Sequence, residues 1–263
     1  MNRCKAPRIP PLLVGNKFLV NAKEKANEFI KYFSAQCTPM VNESVLPHFH
    51  YHTNERLDHI PFSRDDILAQ IRGLNINKSS GPDEISAKML IICDEAIVLP
   101  LQLIYQNILN SGIYPDLWKQ ANVTPIHKKG SKQIVSNYRP ISLLSICGKL
   151  FERIVFKYLY NHLNSNKLIT TNQSGFRPGD STINQLVALV DNIHKTFDKR
   201  ESSEVRAVFL DISKAFDKVW HEGLLFKLKQ NGIPGSVLAL LHNYLSNRIQ
   251  RIFRMENRLD WKR

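Results

Sequence analysis

Residues 205–212, VRAVFLDI, are a run of β-branched and aromatic side chains with almost no polar alternation, closing on an aspartate. A strand of that kind is apolar on both faces, so it predicts a sheet covered on both sides. A chain obliged to cover such a strand needs helical layers, and the rest of the sequence is mostly helical in period. Together these features predict an α+β fold, rich in helix and poor in strand.

The helical periods are clear. Residues 22–35, AKEKANEFIKYFSA, put Ala26, Phe29, Ile30 and Phe33 on one face. Ser63 with Asp66 is a capping-box pattern that opens a helix running to Gly73. Residues 86–112 predict one or two apolar helices, interrupted near Pro100 and stopped by Gly112. Residues 148–163 place Leu150, Ile154, Tyr158 and Leu159 on one face, and 182–199 form another long helix. Two more helices are expected before Gly232 and over 236–245. ANVTPIHKKGS (121–131) reads as a strand ending in a basic glycine turn, and NYRPISLL (137–144) as its return strand. Pro140 marks that return strand as an edge or bulge. Residues 1–21, with Pro7, Pro10 and Pro11, predict an irregular lead-in, and 38–62 a linker. His48, His50 and His52 alternate within it and read as a surface loop rather than a chelate. The segment from Asn247 starts strand-like.

Hydrophobic residues make up 43 % of the 263, which excludes global disorder. Cys4, Cys37, Cys93 and Cys147 are far apart and form no CxxC, so neither a zinc knuckle nor a disulfide partner is expected. No apolar run reaches the ~20 residues of a membrane span. The net charge is +13, and its position is telling. Between Trp118 and Pro178 ten Lys/Arg stand against one acid, Glu152. That local excess points to a polyanionic partner.

Asp211, at the strand end before a turn, reads by itself more readily as a cap for the following helix than as a metal ligand. The order of several blocks favours the second. KSSGPDEISAKML, PIHKKGS, YRPISLL, QSGFRPGDST and AVFLDISKAFDKVWH, followed by NGIPGSVLALLHNYLSNRIQRI, resemble reverse transcriptases of non-LTR retrotransposons, notably the jockey-like group. The resemblance covers roughly residues 60–252, and the helix at 22–35 resembles the linker preceding the polymerase.

The resemblance implies a helix-rich right-hand polymerase fold with fingers and a partial palm but no thumb. It divides the chain into a linker (1–59), fingers (60–203) and partial palm (204–263). It implies RNA-directed DNA synthesis by two-metal nucleotidyl transfer, with an RNA template, a DNA primer and dNTPs as partners. Asp211 is the expected catalytic carboxylate and Mg²⁺ ligand, with the Ile212 carbonyl as a further oxygen and Mn²⁺ as a substitute ion. Lys128 or Lys129, with Arg139, is expected against the triphosphate. Phe216 matches the aromatic gate under the nucleotide sugar, although its spacing also suits a core aromatic. Gln173, Gly175, Phe176 and Arg177 match the template-contacting block. Asp217 has no derived role beyond capping or hydrogen bonding. An intracellular residence, nuclear or cytoplasmic, is implied.

An aromatic-Ala-Asp-Asp block is expected after Ile252 and is missing from the sequence; Asp65-Asp66 lies in a helix cap far upstream. One carboxylate does not hold two ions, so this chain alone is expected to be inactive. The other expectation is a non-catalytic basic nucleic-acid-binding protein.

Overall fold

Short polar side chains set most helix starts. The computed structural model describes residues 9–37, 53–199 and 204–253, so His48, His50 and His52 lie outside the described residues. Asn21 Oδ1 accepts the Lys23 N–H at 2.8 Å and starts helix α1 (Ala22–Gln36). The capping box between Ser63 and Asp66 starts α2 (Arg64–Arg72). The Ser86, Ser145 and Ser181 hydroxyls accept the N–H of Met89, Gly148 and Asn184 and so cap α3 (Ala87–Cys93), α5 (Ile146–Ser165) and α6 (Thr182–Phe197). The break in the 86–112 stretch falls at Asp94, whose φ is +37°, and not at Pro100. A 3-10 turn (Asp94–Ile97) follows, and then α4 (Val98–Ser111). Pro100 sits in the first turn of α4, where its missing N–H leaves no bond unmade. Two further helices, α7 (His221–Gln230) and α8 (Gly235–Leu245), complete the set.

The lead-in is not irregular throughout. Strands β1 (Leu12–Val14) and β2 (Lys17–Leu19) form an antiparallel hairpin about Gly15, whose φ of +59° suits a two-residue turn. Pro7, Pro10 and Pro11 all precede the first strand. The second sheet has order β4-β3-β5. Its centre, β3 (Gln120–His127), pairs antiparallel with β4 (Tyr138–Leu143), setting Ile126 opposite Arg139 and Pro125 opposite Pro140. On its other side β3 pairs parallel with β5 (Ile249–Ile252), setting Val123 opposite Ile252. Because β4 is an edge strand, Pro140 leaves no ladder bond broken.

Two apolar cores result. The larger gathers α2, α4, α5 and α8 around Tyr105, whose ring meets Phe62, Trp118 and Phe151 at centroid separations of 6.1, 6.1 and 5.0 Å. Its buried hydroxyl donates to the Cys147 carbonyl at 2.8 Å. The second core lies beneath the three-stranded sheet. Phe29, Ile30 and Phe33 of α1 pack there against Val123, Val135, Tyr138 and Ile252, with Leu12 of β1. Thus α1 is a structural layer of the sheet. Gly81, in the KSSGPDEI loop, lies flush against the backbone of Leu144 and Ser145, where any Cβ would collide.

The 205–212 segment corrects the sequence reading. It takes no regular secondary structure and pairs with no strand among the described residues. Val208, Phe209, Leu210 and Ile212 are 74–91 % exposed instead of buried on both faces. The described strands all belong to the two other sheets, so this run has its strand-forming side chains without a ladder to join. Helix α6 likewise buries no residue.

Two stability measurements test this packing. Phe29→Ala removes a ring that meets Tyr138 edge to face at 5.0 Å and should cost about 3–5 kcal/mol in denaturant unfolding. A loss under 1 kcal/mol would mean that α1 is not part of the sheet's core. Asp66 ties α2 to α5 by a 2.7 Å ion pair with Lys157. Burial works against its charge. The hydrogen bonds from Lys157 and from the Ser63 backbone and hydroxyl outweigh that and hold its carboxyl at about 2. A depressed carboxyl stabilises above its unfolded value, and the contribution is lost as pH falls through the folded value. Asp66→Asn should therefore destabilise by about 1 kcal/mol at neutral pH, with the gap closing from about pH 4 toward pH 2.

Candidate functional site

The β3–β4 turn is a rigid loop carrying free cations. The Lys128 N–H donates to the Asn137 carbonyl at 2.8 Å, and Asn137 Nδ2 donates to the Ser131 carbonyl at 2.9 Å. The Tyr138 hydroxyl donates to the Lys132 carbonyl at 2.6 Å, and His127 Nε2 lies 2.9 Å from the Gly130 carbonyl oxygen. These bonds fix the backbone while the side chains of Lys128, Lys129 and Lys132 stay exposed. Arg139 follows on β4, exposed opposite Ile126. None of these four cations has an ion-pair partner among the described residues. The hairpin brings Lys128, Lys129 and Arg139 to one end of the sheet. A rigid cluster of uncompensated cations suits a multi-oxygen anion.

The 173–177 block is a turn that holds itself together. Arg177 Nη1 donates to the Thr170 carbonyl at 2.8 Å and Nη2 to Asn164 Oδ1 at 3.2 Å. Gln173 Nε2 donates to the Gly175 carbonyl at 3.0 Å. Arg177 therefore staples its own loop to the end of α5, and Gln173 braces the turn. Gly175 stands in open space. Phe176 has a φ of +61°, in the left-handed region that a bulky residue rarely adopts. Its ring is 84 % exposed.

Asp211 lies at the end of the 205–212 segment, exposed, with no hydrogen bond or ion pair to Lys128, Lys129 or Arg139 among the described residues. Residues 213–218 then turn through Lys214, whose φ is +56°. Lys214 Nζ donates to the Tyr32 hydroxyl at 3.2 Å and lies 4.9 Å from that ring's centre. Phe216, 78 % exposed, is no core aromatic. It meets Phe176 edge to face at 5.8 Å. Two residues from separate sequence blocks thus form one exposed aromatic pair. Asp217 lies near Cys37 at the end of α1, where burial first, and then the aspartate charge, push the thiol upward.

Helix α1 joins these parts. Phe29 packs on Tyr138, the neighbour of Arg139, and Tyr32 latches Lys214, three residues after Asp211. Tyr32 and Lys214 carry no mark in the sequence. The only hint is that Tyr32 flanks the apolar stripe of α1.

A divalent ion needs several oxygen ligands in one place. Asp211 and the Ile212 carbonyl are available, but no group of three His, Cys, Asp or Glu among the described residues could hold a metal. The nearest following carboxylate, Asp217, faces Cys37. The described residues therefore do not fit a metal centre. No helix among them is long and apolar enough to cross a membrane.

Residues 126–263 match the family described as reverse transcriptase (RNA-dependent DNA polymerase). The chain is 32 % identical over 257 residues to the probable RNA-directed DNA polymerase from transposon BS of Drosophila melanogaster, covering 92 % of this chain and 27 % of that protein. It is 33 % identical to the probable RNA-directed DNA polymerase from transposon X-element of the same fly, over 72 % of this chain and 20 % of the relative. Identity to the RNA-directed DNA polymerase from mobile element jockey, again of Drosophila melanogaster, is 32 % over 70 % of this chain and 20 % of the relative. The chain thus spans between a fifth and just over a quarter of the length of these relatives.

Proposed function

Because the chain belongs to the reverse transcriptase (RNA-dependent DNA polymerase) family, in its jockey-like non-LTR retrotransposon branch, we propose that it is the nucleotide- and template-facing part of such a polymerase. We take residues 60–203 as fingers and 204–263 as partial palm, with an RNA template, a DNA primer and dNTPs as partners of the complete enzyme. The observation that carries this reading is the hairpin cluster of unpaired cations, bracketed through α1 to the Asp211 segment. In this reading Lys128, Lys129 and Arg139 hold the triphosphate, and Phe216 lies under the sugar. Gln173, Gly175, Phe176 and Arg177 follow the template strand. Gly175 supports this by leaving its backbone open to close approach. Arg177, already spent on Thr170 and Asn164, acts by shaping the turn.

The family generally uses a divalent metal ion. In the complete enzyme Asp211 and the Ile212 carbonyl would be this chain's share of the ligands to Mg²⁺, or to Mn²⁺ in its place; alone they do not make a centre. One carboxylate is too few for two ions, so the chain as it stands is inert as a polymerase. In primer extension with Mg²⁺, dNTPs and a primed RNA, no product above background is expected. Robust incorporation abolished by Asp211→Asn would refute the inertness. Incorporation untouched by Asp211→Asn would refute the role of Asp211.

The exposed cations favour a second reading, a non-catalytic nucleic-acid binder. Binding to an RNA–DNA duplex should weaken steeply with salt. Replacing Lys128, Lys129 and Arg139 with Gln should flatten the log–log salt dependence by about 2–3. An unchanged slope would remove the hairpin from the interface.

A further inference from the structure

The bonds that fix the β3–β4 turn include one from outside it. Every carbonyl from Gly130 to Val135 has a partner, and all but one are served from within residues 127–138. His127 Nε2 lies at the Gly130 oxygen, and the Ile134 N–H and Asn137 Nδ2 both donate to Ser131. The Tyr138 hydroxyl serves Lys132, the Asn137 N–H serves Ile134, and the Tyr138 N–H serves Val135. The exception is Gln133. Its carbonyl accepts the Leu13 N–H at 2.8 Å, from a strand far upstream in the chain.

The β1–β2 hairpin is built to supply that bond. Its register sets Val14 opposite Lys17, Leu13 opposite Phe18 and Leu12 opposite Leu19. Bonded and non-bonded pairs alternate along an antiparallel ladder. With Val14 and Lys17 bonded across the turn, Leu13 falls in a non-bonded pair. Its N–H therefore points out of the hairpin, toward Gln133. Alternation also turns neighbouring side chains to opposite faces. Leu12 is fully buried with Val135 and Tyr138 beneath the same loop, while Leu13 stands at the surface. The hairpin is fastened in turn to α1, because Lys25 Nζ donates to the Ile9 carbonyl at 2.8 Å. Leu12 and Leu13 both lie outside the 126–263 stretch that matches the family.

We propose that the N-terminal hairpin is a brace that positions the cationic turn. Leu12 and the Leu13 amide hold residues 131–135 in place, and so keep Lys128, Lys129 and Arg139 in the arrangement that meets phosphate groups. This role rests on the reading of that turn as the anion site. Leu12 and Leu13 touch no ligand themselves; they are positioning residues. A hydrogen bond of this kind shifts the turn's opening equilibrium by roughly three- to tenfold.

Amide hydrogen exchange of the whole chain tests the brace. Leu13→Pro removes the donor, and the Lys128, Ile134 and Asn137 amides should then exchange about three- to tenfold faster. Leu13→Ala keeps the N–H and should exchange like the parent. Binding to an RNA–DNA duplex at low salt is measured on the same variants: Leu13→Pro should weaken it and Leu13→Ala should not. Turn amides that exchange alike in Leu13→Pro and the parent would overturn the proposal. So would faster exchange with unchanged affinity, or a Leu13→Ala variant as impaired as Leu13→Pro. The variant Lys128→Gln/Lys129→Gln/Arg139→Gln separates the two claims. If it binds like the parent, the anion site fails and the brace loses its role. If it binds worse while Leu13→Pro does not, only the brace fails. Should Leu13→Pro lose its cooperative melt, Gly15→Val takes its place with the same expected outcome. A β-branched residue at a φ of +59° strains the hairpin's own turn, and its Cβ meets nothing within 4 Å.

Discussion

The ladder of β3 is the constraint on which the rest of the structure depends. It is the centre of the sheet, hydrogen-bonded on one side to β4 and on the other to β5. The antiparallel side fixes the register that brings Arg139 opposite Ile126 and holds the cationic turn at the sheet's end. The parallel side brings in chain from more than a hundred residues later. Val123 faces Ile252 there, and both are buried over α1. A one-residue slip of β4 would turn Tyr138 out of the core and Arg139 into it.

The two halves of the chain differ in kind. The helical half around Tyr105 holds the larger buried core. Within it the Tyr114 hydroxyl donates to Glu152 at 2.9 Å. The described residues of 182–199 and 204–219 are open. Apolar side chains on α6 and on the 205–212 segment face outward, and the anchors of the 213–218 turn come from Tyr32 and Phe176. The helical half supplies stability, and the open stretches supply surface.

Much of this was legible in the residues. Ser63, Ser86, Gly112 and Gly232 mark helix ends by local chemistry, which acts within a few residues and so can be read without tertiary knowledge. The hairpin at 121–144 was equally plain, because Pro140 and the Gly130 turn leave few alternatives. The lead-in departs from the irregular chain that its prolines suggest because Pro7, Pro10 and Pro11 all precede LLVGNKFLV, whose glycine turn forms a hairpin. VRAVFLDI shows the limit of propensity. Side chains state that a segment suits a strand, but a ladder also requires a neighbour. Among the candidate site residues, the blocks named Lys128, Arg139, Asp211 and Phe216. The edge-to-face meeting of Phe176 with Phe216, and the grip of Tyr32 on Lys214, are long-range contacts that no local pattern encodes.

The position of α1 bears on where this module can be divided. The family match begins at Ile126, inside β3, and takes in only Ile126 and His127 of that strand. A gene trimmed to that boundary would lose most of the central strand together with the helix that floors the sheet. Tyr138, Val135 and Ile252 would then meet water, and the turn after Asp211 would lose its tether. The stretch that the family model covers and the stretch that builds the sheet's core are therefore different lengths of chain, and the second starts at least as early as the hairpin at Leu12.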